Sequence, residues 1–148
     1  MMEDLFERHP IIGDGNCLFR AISLYLYGTQ DHHMLLRYKA VAYLREHWKD
    51  VKNHLVIDRE RLRDEDRYCR EMETYGTYGT SVECFALSEV LQKNVVIYLQ
   101  ERSSSKIIKP ESKPIVISRR RYSHTIYLQL LGNPENGHFE LLKPLINQ

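Results

Sequence analysis

One cysteine of this chain stands where its thiol could act as a nucleophile. Cys17 follows a turn made of Gly, Asp and Asn at residues 13–16, and an apolar run compatible with a helix begins at the same point. Unpaired backbone N–H groups and the positive end of the helix dipole meet at a helix N-terminus, and both favour a thiolate. The alternative is a structural role, because a free cysteine is often a small buried hydrophobic residue.

A nucleophilic cysteine needs a base, and His138 has the most suitable context among seven histidines. It opens a predicted strand directly after the Asn136-Gly137 turn, and a strand is a rigid platform for a base. Side chains two residues apart share a face of a strand, so we expect Glu140 beside His138 and Phe139 in the core. A carboxylate there can fix the tautomer of the imidazole, as the third member of a triad does. The alternative is an ordinary histidine of the core or the surface.

The other histidines and cysteines have weaker contexts. Five histidines in charged or helical segments are predicted to be surface residues, and a sixth opens a predicted strand: His9, His32, His33, His47 and His54, and His124. Cys69 and Cys84 are predicted to be structural. An odd number of cysteines without paired spacing indicates neither a disulfide framework nor a zinc site.

Length and composition predict one folded domain. The chain has 148 residues, of which 43% are hydrophobic, and this is enough for a core of its own. A net charge of +1 gives no reason to expect nucleic acid or a membrane surface as a partner. The N-terminal residues lack the apolar segment of a secretory signal, and the longest apolar run, near residues 95–99, is too short to span a bilayer. We therefore expect a soluble protein of a reducing compartment.

The elements that position these groups are predicted to be helices first and strands afterwards. Apolar spacing and charge pattern predict helices over residues 17–27, 32–49, 58–73 and 82–92. Gly28 is predicted to end the first helix, and Asp31 and Ser81 are predicted to cap the second and the fourth. The inner face of the second helix is predicted to consist of Leu35, Tyr38, Val41, Ala42 and Trp48, and that of the third of Leu62, Tyr68 and Met72.

The second half of the chain carries the strand signals. Apolar and β-branched runs predict strands over residues 95–99, 115–117, 125–131 and 138–142, with polar turns near residues 102–106 and 132–137. Helices before strands are typical of an α+β domain whose sheet is mainly antiparallel. Leu18 stands where a dinucleotide-binding loop starting at Gly13 and Gly15 would need its third glycine. The arginines at residues 119–121 are predicted to lie in a solvated loop.

Three segments together resemble the ovarian tumour (OTU) family of cysteine deubiquitinases. The catalytic motif of that family is similar to residues 14–21, DGNCLFRA, and its histidine strand is similar to residues 137–142, GHFELL. Between them, residues 78–88, YGTSVECFALS, and residues 95–98, VVIY, resemble its Gly–Glu–Ala-Leu-Ser helix and its central strand. The three matches occur in the family's order and span nearly the whole chain.

The resemblance implies a papain-like OTU fold over residues 1–148 as a single catalytic domain, with N-terminal helices packed on a small, mainly antiparallel sheet. It implies an isopeptidase that cleaves after the C-terminal glycine of ubiquitin through a thioester on Cys17, without a metal or an organic cofactor. In this assignment Cys17 is the nucleophile, His138 is the base, and Asp14 and Glu140 complete the catalytic set. The oxyanion hole is implied to consist of the backbone N–H groups of Asp14, Gly15, Asn16 and Cys17.

Two residues depart from the family's pattern: Glu140 stands where Asp or Asn is usual, and Tyr78 replaces a common tryptophan. The implied partner is ubiquitin or a polyubiquitin chain, and we expect a monomer in the cytoplasm or nucleus, or in the host cytosol if the source is a virus or bacterium. Two alternatives stay open. One is an inactive or weakly active module that binds ubiquitin, and the other is a protease for another ubiquitin-like modifier or for a polyprotein.

Overall fold

The structure, a computed structural model, describes residues 5–54, 60, 62–100, 105–118, 120–132 and 137–145. The helices of these residues are α1 (Cys17–Tyr27), α2 (His33–Glu46), α3 (Trp48–His54), α4 (Glu65–Glu73) and α5 (Ser81–Leu91), with a 3-10 turn over Gln30–His32. The strands are β1 (Phe6–His9), β2 (Asn94–Gln100), β3 (Ile107–Ile108), β4 (Ile115–Val116), β5 (Thr125–Leu131) and β6 (His138–Pro144). None of these helices is long and apolar enough to cross a membrane.

The described strands form one sheet in the order β3-β1-β6-β5-β2-β4. Only the β2–β5 pair is parallel among these strands, so the predicted mainly antiparallel sheet is confirmed. The sequence did not predict β1 or β3, because neither short segment shows an apolar alternation. β1 is a strand because it pairs with the histidine strand, with Arg8 opposite Leu142 and His9 opposite Leu141.

The central helix is α1, which packs between the sheet and α2. Its residues 17–23 are all buried, so the first two turns of the helix are enclosed on every side. It ends at Gly28, as predicted, because this glycine takes a left-handed conformation (φ 73°) and its N–H binds the Leu24 carbonyl. The burial of α1 fixes where its first residue, Cys17, can lie.

The structure corrects the predicted starts of three helices. Thr29 rather than Asp31 caps the 3-10 turn that leads into α2, and the segment predicted as one helix over residues 32–49 is divided at His47 into α2 and α3. Thr80 rather than Ser81 caps α5, because Glu83 three residues later completes a capping box with it. The charged helix α4 begins after its cap Asp64, so residues 60 and 62–64, predicted to be helical, are not, and residue 58, the predicted start, lies outside the described residues. The residue types that cap helices stand side by side at these places, so the sequence alone does not choose between them.

The inner face of α2 differs from the predicted one. Leu35, Tyr38 and Ala42 are exposed, whereas the residues that the helix buries include two basic side chains: His33, Leu36, Arg37, Ala40, Val41 and Leu44. His33 is thus not the predicted surface residue. The prediction failed because it assigned polar residues of α2 to the solvent, while the buried face of this helix binds the loop before α1. The predicted burial of Leu62, Tyr68 and Met72 and of Cys69 and Cys84 is confirmed.

Candidate active site

The thiol of Cys17 lies against the histidine strand. Cys17 is the first residue of α1 and is almost fully buried, and its Sγ accepts a hydrogen bond of 3.4 Å from the backbone N–H of Phe139. Phe139 directly follows His138 in β6, although it is 122 residues from Cys17 in the chain. The packing of α1 on β6 thus brings the predicted nucleophile and the predicted base to one place.

The surroundings of the thiol raise its pKa, although the helix start alone would lower it. Burial raises the pKa of Cys17 above its ordinary value, and hydrogen bonds from the backbone N–H groups of Phe139 and Leu18 only partly counteract this. The charge of Asp14 raises the pKa further. The helix N-terminus is therefore not sufficient to make a thiolate, and the reaction of this thiol needs a base that removes its proton.

The imidazole of His138 is oriented by Glu140. The Nε2 atom of His138 lies 3.1 Å from Glu140 Oε2, and the glutamate side chain is only 7% exposed. Because a carboxylate accepts hydrogen bonds, this contact places the ring proton on Nε2. The lone pair of a neutral His138 is then on Nδ1, where it can accept a proton. The two side chains share one face of β6 while Phe139 is buried, as the sequence predicted.

Glu140 has two further partners that the sequence did not predict. Arg8 Nη1 lies 2.7 Å from Glu140 Oε1, and the backbone N–H of Ile11 lies 3.4 Å from Glu140 Oε2. Arg8 belongs to β1, a strand that the sequence did not predict. No signal in the sequence points to this arginine, because its role depends on which strand lies beside β6.

Asp14 determines the shape of the loop before Cys17. Its carboxylate accepts the Asn16 backbone N–H at 2.9 Å and binds Arg20 Nη2 at 2.9 Å. Burial alone would raise the pKa of Asp14, but the hydrogen bonds from Arg20 and Asn16 outweigh it and lower this pKa from 3.8 to about 2. The Asp14 carboxylate is thus held by its own loop, through Asn16, and by α1, through Arg20.

The backbone N–H groups of this loop are not equally available. The N–H of Asp14 donates to Ile12 O at 3.1 Å, that of Asn16 donates to the Asp14 carboxylate at 2.9 Å, and that of Cys17 makes a longer bond of 3.3 Å to Asp14 O. The N–H of Gly15 has no acceptor among the described residues. Of the predicted oxyanion-hole donors, Gly15 and Cys17 are thus the best placed to bind another acceptor.

Arg37 is a second residue that the sequence did not reveal. It is fully buried in α2, and its Nη2 lies 2.8 Å from Asn16 Oδ1 while its Nη1 donates to Met72 O at 2.9 Å. Its guanidinium carbon lies 4.4 Å from the centroid of the Phe19 ring. The available signal was weak: Arg37 is four residues after His33 and three before Ala40, so it shares their helix face.

The loop that carries Asp14 and Cys17 also packs against a second loop. Asn16 Oδ1 accepts the backbone N–H of Gly76 at 2.9 Å, and a Cβ atom on Gly15 would lie 1.6 Å from Gly76 O. Gly76 itself has a φ of +86°, which favours glycine. The close approach therefore requires glycine at position 15, and the backbone conformation favours glycine at position 76.

An open cavity of about 380 Å³ lies beside His138 and the loop that precedes Cys17, and it is lined by Gly13, Asp14, Gly15, Tyr78, Gly137 and His138. Three of these residues are glycines, so backbone atoms form much of the cavity wall. The ring of Tyr78 stacks on that of Phe139, with centroids 5.9 Å apart. A larger surface cavity of about 580 Å³ beside α4 shares Tyr78 but is not lined by Cys17 or His138. In the part of the chain that the structure describes, no group of three or more histidine, cysteine, aspartate or glutamate side chains is arranged to hold a metal ion.

Comparison with known proteins agrees with this arrangement. Residues 12–139 match the family model described as OTU-like cysteine protease. The chain belongs to this family. Over 144 residues, it is 31% identical to the putative ubiquitin thioesterase 232R of Invertebrate iridescent virus 3, an alignment that covers 91% of this chain and 16% of that protein. It is 27% identical over 136 residues to the deubiquitinase otu of Drosophila melanogaster, with 92% of this chain and 14% of that protein covered.

The fold is shared with solved structures of OTU domains. The crystal structure of the viral OTU domain protease from Qalyub virus matches with a TM-score of 0.75 and 26% identity, over 95% of this chain and 85% of that one. The predicted α+β OTU fold is thus confirmed. The chain spans 14% to 40% of the length of curated relatives that it matches, and about a sixth of the two named above.

Proposed function

We propose that this OTU domain is a deubiquitinating cysteine isopeptidase, which hydrolyses the bond after the C-terminal glycine of ubiquitin through a thioester on Cys17. The observation that carries the proposal is the contact of 3.4 Å between the Cys17 thiol and the Phe139 N–H, beside a histidine oriented by Glu140. The substrate class rests on the relatives, which are named as a putative ubiquitin thioesterase and a deubiquitinase.

The first chemical step is a proton transfer followed by nucleophilic attack. His138 Nδ1 accepts the thiol proton, and the Cys17 sulfur forms a bond to the carbonyl carbon of the Gly–Lys isopeptide. The electron pair of the C=O bond moves to the oxygen, where the N–H groups of Gly15 and Cys17 bind the oxyanion. Asp14 contributes by holding the loop that carries these donors, since its carboxylate binds Asn16 and Arg20.

The second half of the reaction releases both products. The protonated His138 gives its proton to the leaving lysine amine as the C–N bond breaks, and a thioester joins the ubiquitin glycine to Cys17. His138 then deprotonates a water molecule that attacks the thioester carbon. The C–S bond breaks, the ubiquitin C-terminal carboxylate leaves, and the proton on His138 returns to the sulfur, which regenerates the thiol. Glu140 stabilises the imidazolium that forms in both halves.

The cavity walls support an extended glycine tail as the group that enters. Gly13, Gly15 and Gly137 leave little side-chain bulk around the approach to His138, and Tyr78 closes one side. A tail with large side chains at its end would meet this ring. The cavity is therefore suited to the Gly-Gly end of ubiquitin.

We also propose that residues 1–148 act as one catalytic domain and as a monomer, in the cytoplasm or nucleus or in a host cytosol. The family match over residues 12–139 and a main hydrophobic core that includes residues of α1, α2, α5, β2, β5 and β6 support the single domain. A thiol that must stay reduced to react supports the compartment.

The test uses ubiquitin with an electrophile at its C-terminus and detects the adduct by intact mass. Wild-type protein is expected to gain one ubiquitin, and Cys17→Ala is expected to gain none and to lose diubiquitin cleavage by about 1,000-fold or more. Cys69→Ala is the matched control, because it removes a different buried thiol. Cleavage by Cys17→Ala at the wild-type rate would contradict the proposal, and a reaction confined to probes made from other ubiquitin-like modifiers would replace its substrate. An unreactive wild type would favour the binding module.

A further inference from the structure

The acid that orients the histidine is a glutamate, whose carboxylate needs more restraint than that of an aspartate. A glutamate side chain has three rotatable bonds, one more than an aspartate side chain, so fixing it costs more conformational entropy. In this structure the two oxygens of Glu140 have separate partners. Oε2 faces His138 Nε2 at 3.1 Å, and Oε1 faces Arg8 Nη1 at 2.7 Å.

The geometry of the sheet explains how Arg8 reaches this site. Arg8 lies opposite Leu142 in the β1–β6 pair, and Glu140 and His138 precede Leu142 by two and four residues. Side chains two residues apart share a face of a strand, so Glu140 is the diagonal neighbour of Arg8 on the face that also carries His138. The three side chains therefore form a row along one face of the sheet, from Arg8 through Glu140 to His138.

Arg8 is itself fixed at both its backbone and its side chain. Its backbone N–H donates to Lys106 O at 2.7 Å, and its Nε donates to Ser105 O at 2.9 Å. The Arg8 side chain is 14% exposed and that of Glu140 is 7% exposed, so the ion pair is largely shielded from water. A short ion pair in such a place holds a carboxylate in one position far better than an exposed pair does.

We propose that Arg8 is a positioning residue of the active site, which holds Glu140 in the orientation that orients His138. The proposal rests on the proposed function, because it assigns His138 as the base. Arg8 contacts neither Cys17 nor the cavity beside it, so its effect passes through the carboxylate. Anchoring by Arg8 also explains why a glutamate can stand here: the extra methylene lets one carboxylate contact both Arg8 and His138.

The test is a double-mutant cycle with Arg8→Met, Glu140→Gln and the double variant, assayed on diubiquitin. Each single variant is expected to lower kcat about 5- to 10-fold, with KM within about twofold of wild type, because substrate contacts are kept. The double variant is expected to match Glu140→Gln within about twofold, because Arg8 has nothing left to position. Arg8→Lys keeps the charge and is expected to restore kcat to within about threefold of wild type.

Glu7→Gln is the matched control. Glu7 is the neighbour of Arg8 on β1, and it pairs with His9 at 2.9 Å and Lys106 at 3.5 Å instead of Glu140. Its variant is expected to keep kcat within about twofold of wild type. Titration with the electrophilic ubiquitin counts the reactive sites, so that kcat is expressed per folded enzyme.

Three results would overturn the role of Arg8. They are losses that multiply in the double variant, a loss in Arg8→Met that disappears when kcat is divided by reactive sites, and an equal loss in Glu7→Gln. Each requires a wild type that reacts at Cys17. A wild type that does not react with the ubiquitin probe would instead reject the proposed function, and the two failures are thus distinguishable.

Discussion

The loop that carries Cys17 and the strand that carries His138 meet at one site but are held by different kinds of contact. The loop is held from behind by the fully buried Arg37, through Asn16, and by the backbone of Gly76. The strand side is held by Arg8 and Glu140, an ion pair whose side chains are 14% and 7% exposed and therefore keep some contact with water.

This difference separates folding from catalysis. A buried cation that loses an acceptor is costly to the folded state, because no water replaces the acceptor. Arg8 is 14% exposed and keeps its bond to Ser105 O when Glu140 is changed, so this change costs the folded state less and acts mainly on the orientation of His138. We therefore expect changes on the nucleophile side to lower the free energy of unfolding and changes on the base side to lower kcat.

The largest expected effect is that of Asn16→Ala on the free energy of unfolding. The variant removes the side-chain acceptor of both Arg37 and Gly76 and leaves the arginine buried, which should cost about 3 kcal/mol. Urea unfolding followed by circular dichroism measures it. Asn16→Asp keeps an acceptor for Arg37 and is expected to lose less. A loss under about 1 kcal/mol in Asn16→Ala would remove the distinction between the two sides.

The matching change on the base side is Glu140→Gln, measured in the same unfolding assay. Arg8 keeps its bond to Ser105 O and is 14% exposed, whereas Arg37 is fully buried, so we expect a smaller loss than in Asn16→Ala, about 1–2 kcal/mol. The same variant should lose about 10-fold in kcat, which is equivalent to about 1.4 kcal/mol in the barrier. Equal destabilisation by Asn16→Ala and Glu140→Gln would contradict the expectation that the contacts of the nucleophile side contribute more to the stability of the fold.

The pH dependence of stability examines the Asp14–Arg20 pair on the nucleophile side. The pKa of Asp14 is lowered from 3.8 to about 2 in the folded chain, so the pair stabilises the fold fully above pH of about 4. About half of this contribution is lost by pH 3 and most of it by pH 2, as the carboxylate is protonated. Because the side chain is 30% exposed, solvent reduces its size to about 1 kcal/mol. Unfolding of wild type and Asp14→Asn should differ by this amount at pH 6 and converge towards pH 2, whereas a constant difference would contradict the assignment.

The smallest expected effect is that of Glu71→Gln in α4. Glu71 pairs with Arg67 at 3.2 Å, but both side chains are more than 60% exposed. Such pairs contribute about 0.5 kcal/mol or less. Thermal unfolding is expected to give a change within this limit and an unchanged kcat, which sets the background for the three larger effects. A loss above about 1 kcal/mol would mean that exposure does not separate these classes.

Local chemistry determined much of this site in advance. Cys17 at a helix start, His138 opening a strand and Glu140 on its face follow from rules that span a few residues, and the structure places them as predicted. Arg8 and Arg37 did not follow, because an arginine has the same local pattern whether it lies in solvent or against a buried acceptor. The predicted caps at Asp31 and Ser81 were wrong for a smaller reason: Thr29 and Thr80 stand close to them and have a similar capping ability.

By itself, the sequence determined the residue types, the periodicities and the three motifs, and with them the family, the α+β class and the candidate nucleophile and base. Only the tertiary structure decided that β1 lies beside β6, that α2 buries His33 and Arg37 and that the thiol is buried. The physical reason is range. Helix spacing, turns and strand alternation act between neighbours in the chain, whereas the ion pair of Arg8 and Glu140 and the pKa of Cys17 depend on segments more than 100 residues apart.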